Sequence, residues 1–316
     1  MPRLKSLDVV TSAKNEEANL EELYSRTKSV LEDRQIEWRL IICDNASKDN
    51  TWAVIEKLAG LDSRVVGLRM SRDFGFEGAI AGALSKTNAD AIIMMASDLQ
   101  DPPEAIPLFL NEYESGYHHV FQIVTGRPGS TKLRKLNSQI FYWFASKMSK
   151  GLIYPNSSIF RIMSRDMVAQ LNSMGERNRF VRALVMYLGY KSKGIPIERA
   201  ARIKGSSKAN TRHVLGLALK GILSNSYGLL DLVGYFGLGV SILALLTTLV
   251  FTFIWILVGV PFAGFGILTG ILLLGFGFTF LALGIMAQYL SLIYEEVKGR
   301  PNFVIMESTL SDDVKE

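Results

Sequence analysis

Three hard oxygen donors, Asp98, Gln100 and Asp101, fall within one short turn of the segment SDLQDPPE, Ser97 to Glu104, and two prolines stiffen its exit. This spacing suits a divalent cation, Mg²⁺ or Mn²⁺, held through one or two carboxylates plus the phosphate oxygens of a substrate. Helix capping is the plainer use of an acidic loop ahead of proline. Position favours the cation, because SDLQDPPE follows an apolar run, Ala91 to Ala96, and two further polar loops, Lys14 to Glu17 and Asp44 to Asn50, follow apolar runs in the same way. Cys43 is the sole cysteine and His118, His119 and His213 are the only histidines, which excludes an intramolecular disulfide and a multi-cysteine metal centre and argues against a histidine-rich one.

The elements that must carry these loops alternate. Leu7 to Ala13, Trp38 to Cys43, Val65 to Met70 and Ala91 to Ala96 read as short buried strands. Asn15 to Leu31, a segment from Trp52, and Glu77 to Lys86 read as the helices between them. Such alternation predicts an α/β domain with a mostly parallel, Rossmann-like sheet covered on both faces. Ligands of these sheets bind beyond the carboxyl ends of the strands, where the three polar loops fall. No GxGxxG follows the first strand, which weighs against a dinucleotide-dependent oxidoreductase. Beyond Arg127 the pattern is less regular, with helices expected over Lys135 to Ser149 and Arg177 to Leu188 and a late strand over Gly194 to Arg202.

Leu232 to Tyr294 then runs for 63 residues without Asp, Glu, Lys, Arg or His. A span needs about 20 apolar residues, so this stretch, interrupted near Gly259, Pro261 and Gly264, predicts two transmembrane helices joined by a tight turn. Lys220 precedes them and Lys298 and Arg300 follow, while the turn is uncharged, which places both termini in the cytoplasm. Val214 to Leu223 has one apolar face and reads as an interfacial helix or, alternatively, a core helix. The expected organisation is a catalytic or binding domain over 1–212, a juxtamembrane amphipathic helix over 213–231, two spans over 232–294 and a cytoplasmic tail over 295–316, polar and disordered after Glu307. Small-residue faces in the two spans leave a homo-oligomer through the membrane open.

The net charge of +5 hides an asymmetry, since residues 1–125 hold 13 Lys or Arg against 20 Asp or Glu, and residues 126–213 hold 18 against 3. The basic segment suits an anionic lipid bilayer or a phosphate-bearing ligand, and the adjacent hairpin favours lipid over nucleic acid.

Taken in order, VVTSAKNEEANL (Val9 to Leu20), DNASKDNT (Asp44 to Thr51), SRDFGFEGAIAGAL (Ser71 to Leu84) and DLQDPPE resemble the family 2 glycosyltransferases of GT-A fold. The narrower resemblance is to polyprenyl-phosphate glycosyltransferases, namely bactoprenol glucosyltransferases and dolichol-phosphate mannose synthases. It continues through FRIMSRDMV (Phe160 to Val168), RFVRAL (Arg179 to Leu184) and IPIERAARIKGSSK (Ile195 to Lys208), and ends with YLSLIYEEVKGRPNF after the hairpin. The resemblance implies that Ala13, Asn15, Glu16 and Asp44 hold the uridine of a sugar nucleotide, and that Asp98 and Gln100 hold Mg²⁺ or Mn²⁺ on its diphosphate. It places Arg127, Lys132 and Arg134 near the acceptor phosphate and Arg199, Arg202 and Lys208 on phosphates of the closed site, with Asp98, Arg127 and Arg202 central to catalysis. The chain departs from the family where DAD becomes Ala96-Ser97-Asp98, and where acidic residues before FR become Asn156-Ser157-Ser158-Ile159.

The reaction so implied is transfer of glucose from UDP-glucose to undecaprenyl phosphate by an integral protein of the cytoplasmic membrane. Another sugar nucleotide (GDP-mannose, UDP-GlcNAc or UDP-aminoarabinose) would use the same chemistry. The missing acidic residues motivate a different class of answer, a catalytically silent scaffold.

Overall fold

The structure, a computed structural model, describes residues 4–125, 152, 154–198, 228–258 and 265–310. Strands β1 (Ser6–Ala13), β2 (Glu37–Asp44), β3 (Val65–Met70) and β4 (Ala91–Met94) alternate with helices α1 (Glu17–Glu32), α2 (Thr51–Leu61) and α3 (Gly75–Leu84). A 3₁₀ turn (Pro103–Ala105) and α4 (Ile106–Glu114) lead to β5 (His119–Val124). Next come β6 (Ser157–Ser164), α5 (Arg165–Ser173), α6 (Val181–Tyr187) and β7 (Ser192–Ile197). Two long helices, α7 (Gly228–Val258) and α8 (Phe265–Val297), precede a further strand, β8 (Ile305–Ser308).

All eight strands form one sheet in the order β7-β5-β6-β4-β1-β2-β3-β8. β1 pairs in parallel with β2 and β4, β2 with β3, and β5 with β7, whereas β6 runs antiparallel between β4 and β5. The period of two explains the layering, because successive side chains enter opposite faces. Val9, Leu40, Ile93, Phe160 and Ile162 join a core under α1, α2 and α4, while Val10, Ile41, Met94 and Met163 join a second core under α3, α5 and α6. Phe109 of α4 lies 4.4 Å from Phe160, centroid to centroid. Burying a side chain of that size contributes about 1.5–3 kcal/mol.

One carboxylate is buried where the strands begin. Asp8 accepts two 2.8 Å bonds from Arg39 and further bonds from the Asn88 and Ala89 N–H groups, so its charge is fully partnered. Ser164 caps α5 by accepting a hydrogen bond from Met167 N–H.

Beyond β4 the structure adds to the sequence expectations or leaves them outside the described residues. The sheet is mostly parallel as predicted, and β6, antiparallel to both β4 and β5, supplies its antiparallel pairings within the domain. The late strand ends at Ile197, and residues 199–227, including the expected interfacial helix, lie outside the described residues, as does the 135–149 helix. Within the segment 295–316, expected as a tail, Ile305–Ser308 returns to the sheet. Gly299, at φ +61°, ends α8 with Pro301 two residues on, and β8 then pairs antiparallel with β3. A lone four-residue strand carries no periodic signal, and its partner lies far back in the chain.

Helices α7 and α8 touch through Phe236 and Phe278, whose ring centroids are 4.9 Å apart. Among the described residues, Leu274–Val297 is long and apolar enough to cross a membrane, and none of it is buried within the protein.

Candidate active site

The loops leaving β1, β2, β3 and β4 meet at the carboxyl edge of the sheet and are joined by side chain to backbone bonds. Asn15 N–H donates to Ser47 Oγ (2.9 Å), Lys48 N–H to Asn15 Oδ1 (2.8 Å), Glu16 N–H to Thr51 Oγ1 (2.9 Å) and Asn50 N–H to Glu17 Oε2 (2.9 Å). Ser97 Oγ donates to Ser12 O at 2.9 Å, tying the β4 loop to β1. Asn45 bridges to the next loop, donating to Asp73 Oδ1 (2.7 Å) and accepting from Phe74 N–H (2.9 Å). Lys14 also pairs with Asp73. Burial works to raise the Asp73 carboxyl, yet the bonds from Lys14, Gly75 N–H and Asn45 outweigh it and hold it below its ordinary range.

Non-glycine residues with positive φ mark the same edge: Asn15 (54°), Ala46 (52°), Leu99 (59°) and Asn156 (55°), in the loops after β1, β2 and β4 and just before β6. A left-handed residue of this kind costs of order 1 kcal/mol and persists where surrounding bonds dictate it.

Asp44, at the end of β2, is fully buried. Its Oδ1 accepts from Ser47 N–H at 3.0 Å, while Oδ2 accepts no hydrogen bond among the described residues and lies 3.8 Å from Arg69 Nε. A buried acceptor open at one oxygen suits an incoming N–H or hydroxyl. Ala13, paired with Asp44 across the strands, is equally buried.

In the SDLQDPPE turn the two aspartates differ. Asp101 Oδ2 accepts from Ala96 N–H at 3.1 Å, which closes the loop from within. Asp98 Oδ1 accepts from Gln100 N–H at 3.2 Å, an Asx turn that brings the Asp98 carboxylate and Gln100 together at the strand terminus. No cluster of three or more His, Cys, Asp or Glu stands among the described residues. The donor set therefore fits a hard cation that draws its remaining ligands from phosphate and water, rather than an all-protein cage.

A second buried cluster lies below, between α3, β6 and α6. Arg161, 1% exposed, donates to Ser158 O at 2.6 Å and Ile159 O at 3.4 Å, and Arg182 donates to Ser157 O at 3.4 Å. Burial, then the neighbouring Arg182, pushes the Arg161 guanidinium down to about 9, with Glu77 opposing. It still carries its charge at neutral pH. The Glu77 carboxyl is enclosed although the residue as a whole is partly accessible. Burial raises its pKa against Val181 N–H and the arginines.

Ala13, Asn15, Glu16, Asp44, Asp98 and Gln100 are thus brought to one edge. The Asn15 carbonyl is already engaged by Lys48 N–H, and Glu16 Oε2 accepts from Asn19 at 2.6 Å. Arg127, Lys132, Arg134, Arg199, Arg202 and Lys208 lie outside the described residues. Residues not anticipated are Lys14 and Asp73, Asn45, Arg69 and the Glu77–Arg161–Arg182 cluster. Asn45 and Asp73 stand inside the DNASKDNT and SRDFG motifs, which is the only signal that pointed to them.

The family model described as glycosyl transferase family 2 matches residues 8–171, from β1 to within α5. The chain belongs to that family. A bactoprenol glucosyl transferase of Shigella phage SfII is 32% identical over 303 residues, covering 96% of this chain and 98% of that protein. A prophage bactoprenol glucosyl transferase homolog of Escherichia coli K12 is 32% identical over 300 residues, 95% of this chain and 98% of its own length. A solved structure described as a mycobacterial protein superposes with a TM-score of 0.50 at 18% identity, covering 69% of this chain and 75% of that one, a likeness of fold. The protein is accordingly a family 2 glycosyltransferase, an enzyme with a GT-A-like α/β domain homologous to bactoprenol glucosyl transferases.

Proposed function

We propose that this glycosyltransferase moves glucose from UDP-glucose to undecaprenyl phosphate at the cytoplasmic face of the cytoplasmic membrane, inverting the anomeric configuration. The observation that carries this reading is the likeness to bactoprenol glucosyl transferases over 96% of the chain, because it takes in the apolar helices as well as the donor loops.

Asp44 Oδ2 accepts the nucleobase N–H, and Ala13, Asn15 and Glu16 line the uridine. Asp98 and Gln100 would hold Mg²⁺ or Mn²⁺, which when bound neutralises charge on the diphosphate. Arg199, Arg202 and Lys208 grip donor phosphates, and Arg127, Lys132 and Arg134 orient the acceptor phosphate. A phosphate monoester is largely ionised at neutral pH and needs no strict general base. Its oxygen forms the bond to the anomeric carbon as the bond to the diphosphate oxygen breaks, and UDP leaves with the electron pair. Positioning and charge stabilisation supply the rate. A polyprenyl tail leaves the bilayer at a cost of about 0.8 kcal/mol per exposed CH₂, so the enzyme must meet it at the surface. Helices α7 and α8, as a two-span hairpin with both termini cytoplasmic, provide that seat.

Ala96 in place of the family's first acidic residue favours a second reading, a silent scaffold that binds nucleotide without transfer. One experiment separates them: label transfer from a panel of UDP- and GDP-sugars to undecaprenyl phosphate by purified full-length protein, with Mg²⁺ or Mn²⁺ and with EDTA. Metal-dependent transfer from UDP-glucose is the expected result. Transfer from a different donor alone would replace the sugar, and nucleotide binding with no transfer from any donor would establish the scaffold.

A further inference from the structure

Residues 301–310 occupy a prepared slot on the catalytic domain. Phe303, Ile305 and Leu310 pack against the core under α3 and α5. Ser71 N–H donates to Val304 O at 3.0 Å, Thr309 N–H to Gly67 O at 2.9 Å, and Gly67 N–H to Thr309 Oγ1 at 2.8 Å. Glycines on the domain side leave the room. A Cβ on Gly78 would lie 2.8 Å from Asn302 O, and one on Gly82 would lie 3.3 Å from the Phe303 ring.

Within this slot three charged residues fall on one rung of adjacent strands. Glu307 of β8 is opposite Arg69 of β3, and Arg69 is opposite Asp44 of β2. Arg69 Nη1 lies 3.1 Å from Glu307 Oε1, while its Nε stays 3.8 Å from Asp44 Oδ2, beyond hydrogen-bond reach. The guanidinium also sits over the Trp52 ring at 5.6 Å. Asp44 therefore has a counter-charge nearby and still keeps Oδ2 without a hydrogen bond among the described residues.

We propose that Glu307 is a positioning residue for donor binding: by engaging Arg69 it keeps the guanidinium from closing on Asp44 Oδ2, and so leaves that oxygen available to the nucleobase. The C-terminal strand is thereby part of the nucleotide pocket, although it follows both apolar helices in sequence. Without Glu307, Arg69 has one carboxylate within reach instead of two, and a direct Arg69–Asp44 pair competes with the ligand N–H for the same lone pairs. The inference rests on the reading of Asp44 as the nucleobase acceptor.

The test is UDP binding by calorimetry, with KM and kcat for UDP-glucose, on the full-length protein in detergent. Glu307→Gln is expected to raise the UDP Kd and the donor KM about fivefold with kcat nearly unchanged, while Glu307→Asp, which keeps the charge, stays within about twofold of the parent. Unchanged UDP affinity in Glu307→Gln, with the parent binding UDP, overturns the proposal. Equal loss of binding in both variants, with a lowered melting temperature, assigns Glu307 to seating the strand and also overturns it. A parent protein that binds no UDP fails differently, because it removes the donor reading itself.

Discussion

Strands β1 to β4 and strands β5 to β7 meet at one antiparallel seam, β4 against β6, and they satisfy their loops with opposite chemistry. On the first side carboxylates and amide oxygens accept from loop N–H groups: Asp44 from Ser47, Asn15 from Lys48, Glu17 from Asn50 and Asp101 from Ala96. On the second side guanidinium groups donate to carbonyls: Arg161 to Ser158 and Ile159, Arg179 to Leu171 and Met174, and Arg182 to Ser157. Opposite charges thus hold the backbone on the two sides of the seam.

Four measurements test this contrast. Asp98→Ala removes the carboxylate expected to hold the cation, and transfer should fall by about three orders of magnitude or more in a product-labelling assay, with circular dichroism unchanged. Transfer at the parent rate would show that the acceptor-rich side does not carry the chemistry. Arg161→Leu removes the buried donor of the other side and strands the Ser158 and Ile159 carbonyls, so chemical denaturation should show a loss of about 3 kcal/mol. A neutral result would mean that the guanidinium there is dispensable.

Gly78→Ala is a milder test of how α3 sits between the two sides. Its Cβ would come within 2.7 Å of Phe74 Cβ and 2.8 Å of the Asn302 carbonyl, a backbone atom that cannot swing away. A destabilisation of about 1–2 kcal/mol is expected on the same denaturation curve. The smallest effect is at Asp73, whose carboxyl is held low in the folded protein and is half exposed. A depressed carboxyl contributes stability above its ordinary pKa of 3.8 and loses it as pH falls through the lower folded value. Between about pH 7 and pH 3, Asp73→Asn should therefore lose less of its melting temperature than the parent does, by about 1–2 °C.

The acceptor-rich side was the more legible in sequence. Each of its strands is an apolar run ended by a polar loop, and its helices carry a clear apolar stripe, so β1 to β4 and α1 to α3 fall within a few residues of their expected places. Asp44, Asp98 and Gln100 were singled out because motif and strand end coincide, and the structure brings their loops to one edge. β6 was harder, since SSIFRIMS places Arg161 at a position the alternation assigns to the core, where the Ser158 and Ile159 carbonyls of its own strand and the Glu77 carboxylate brought up by α3 make an arginine tolerable. Asp73 and Lys14 stand inside quoted motifs, but their pairing exists only once the loops meet. Glu307 had no signal at all, because its partner Arg69 is 238 positions away.

That separation bears on how the protein is made. β3 is translated early, but the strand that covers its open edge leaves the ribosome only after the long helices α7 and α8, which on the function proposed above would first have to enter the bilayer. Until then β3 presents unpaired N–H and C=O groups, the kind of edge on which chains aggregate. Closing a loop of this length costs entropy that only completed pairing repays, so completion of the sheet at β3 is expected to be a late event. Chains that stall or misinsert at the helices would carry a nearly complete domain whose sheet never acquires its eighth strand.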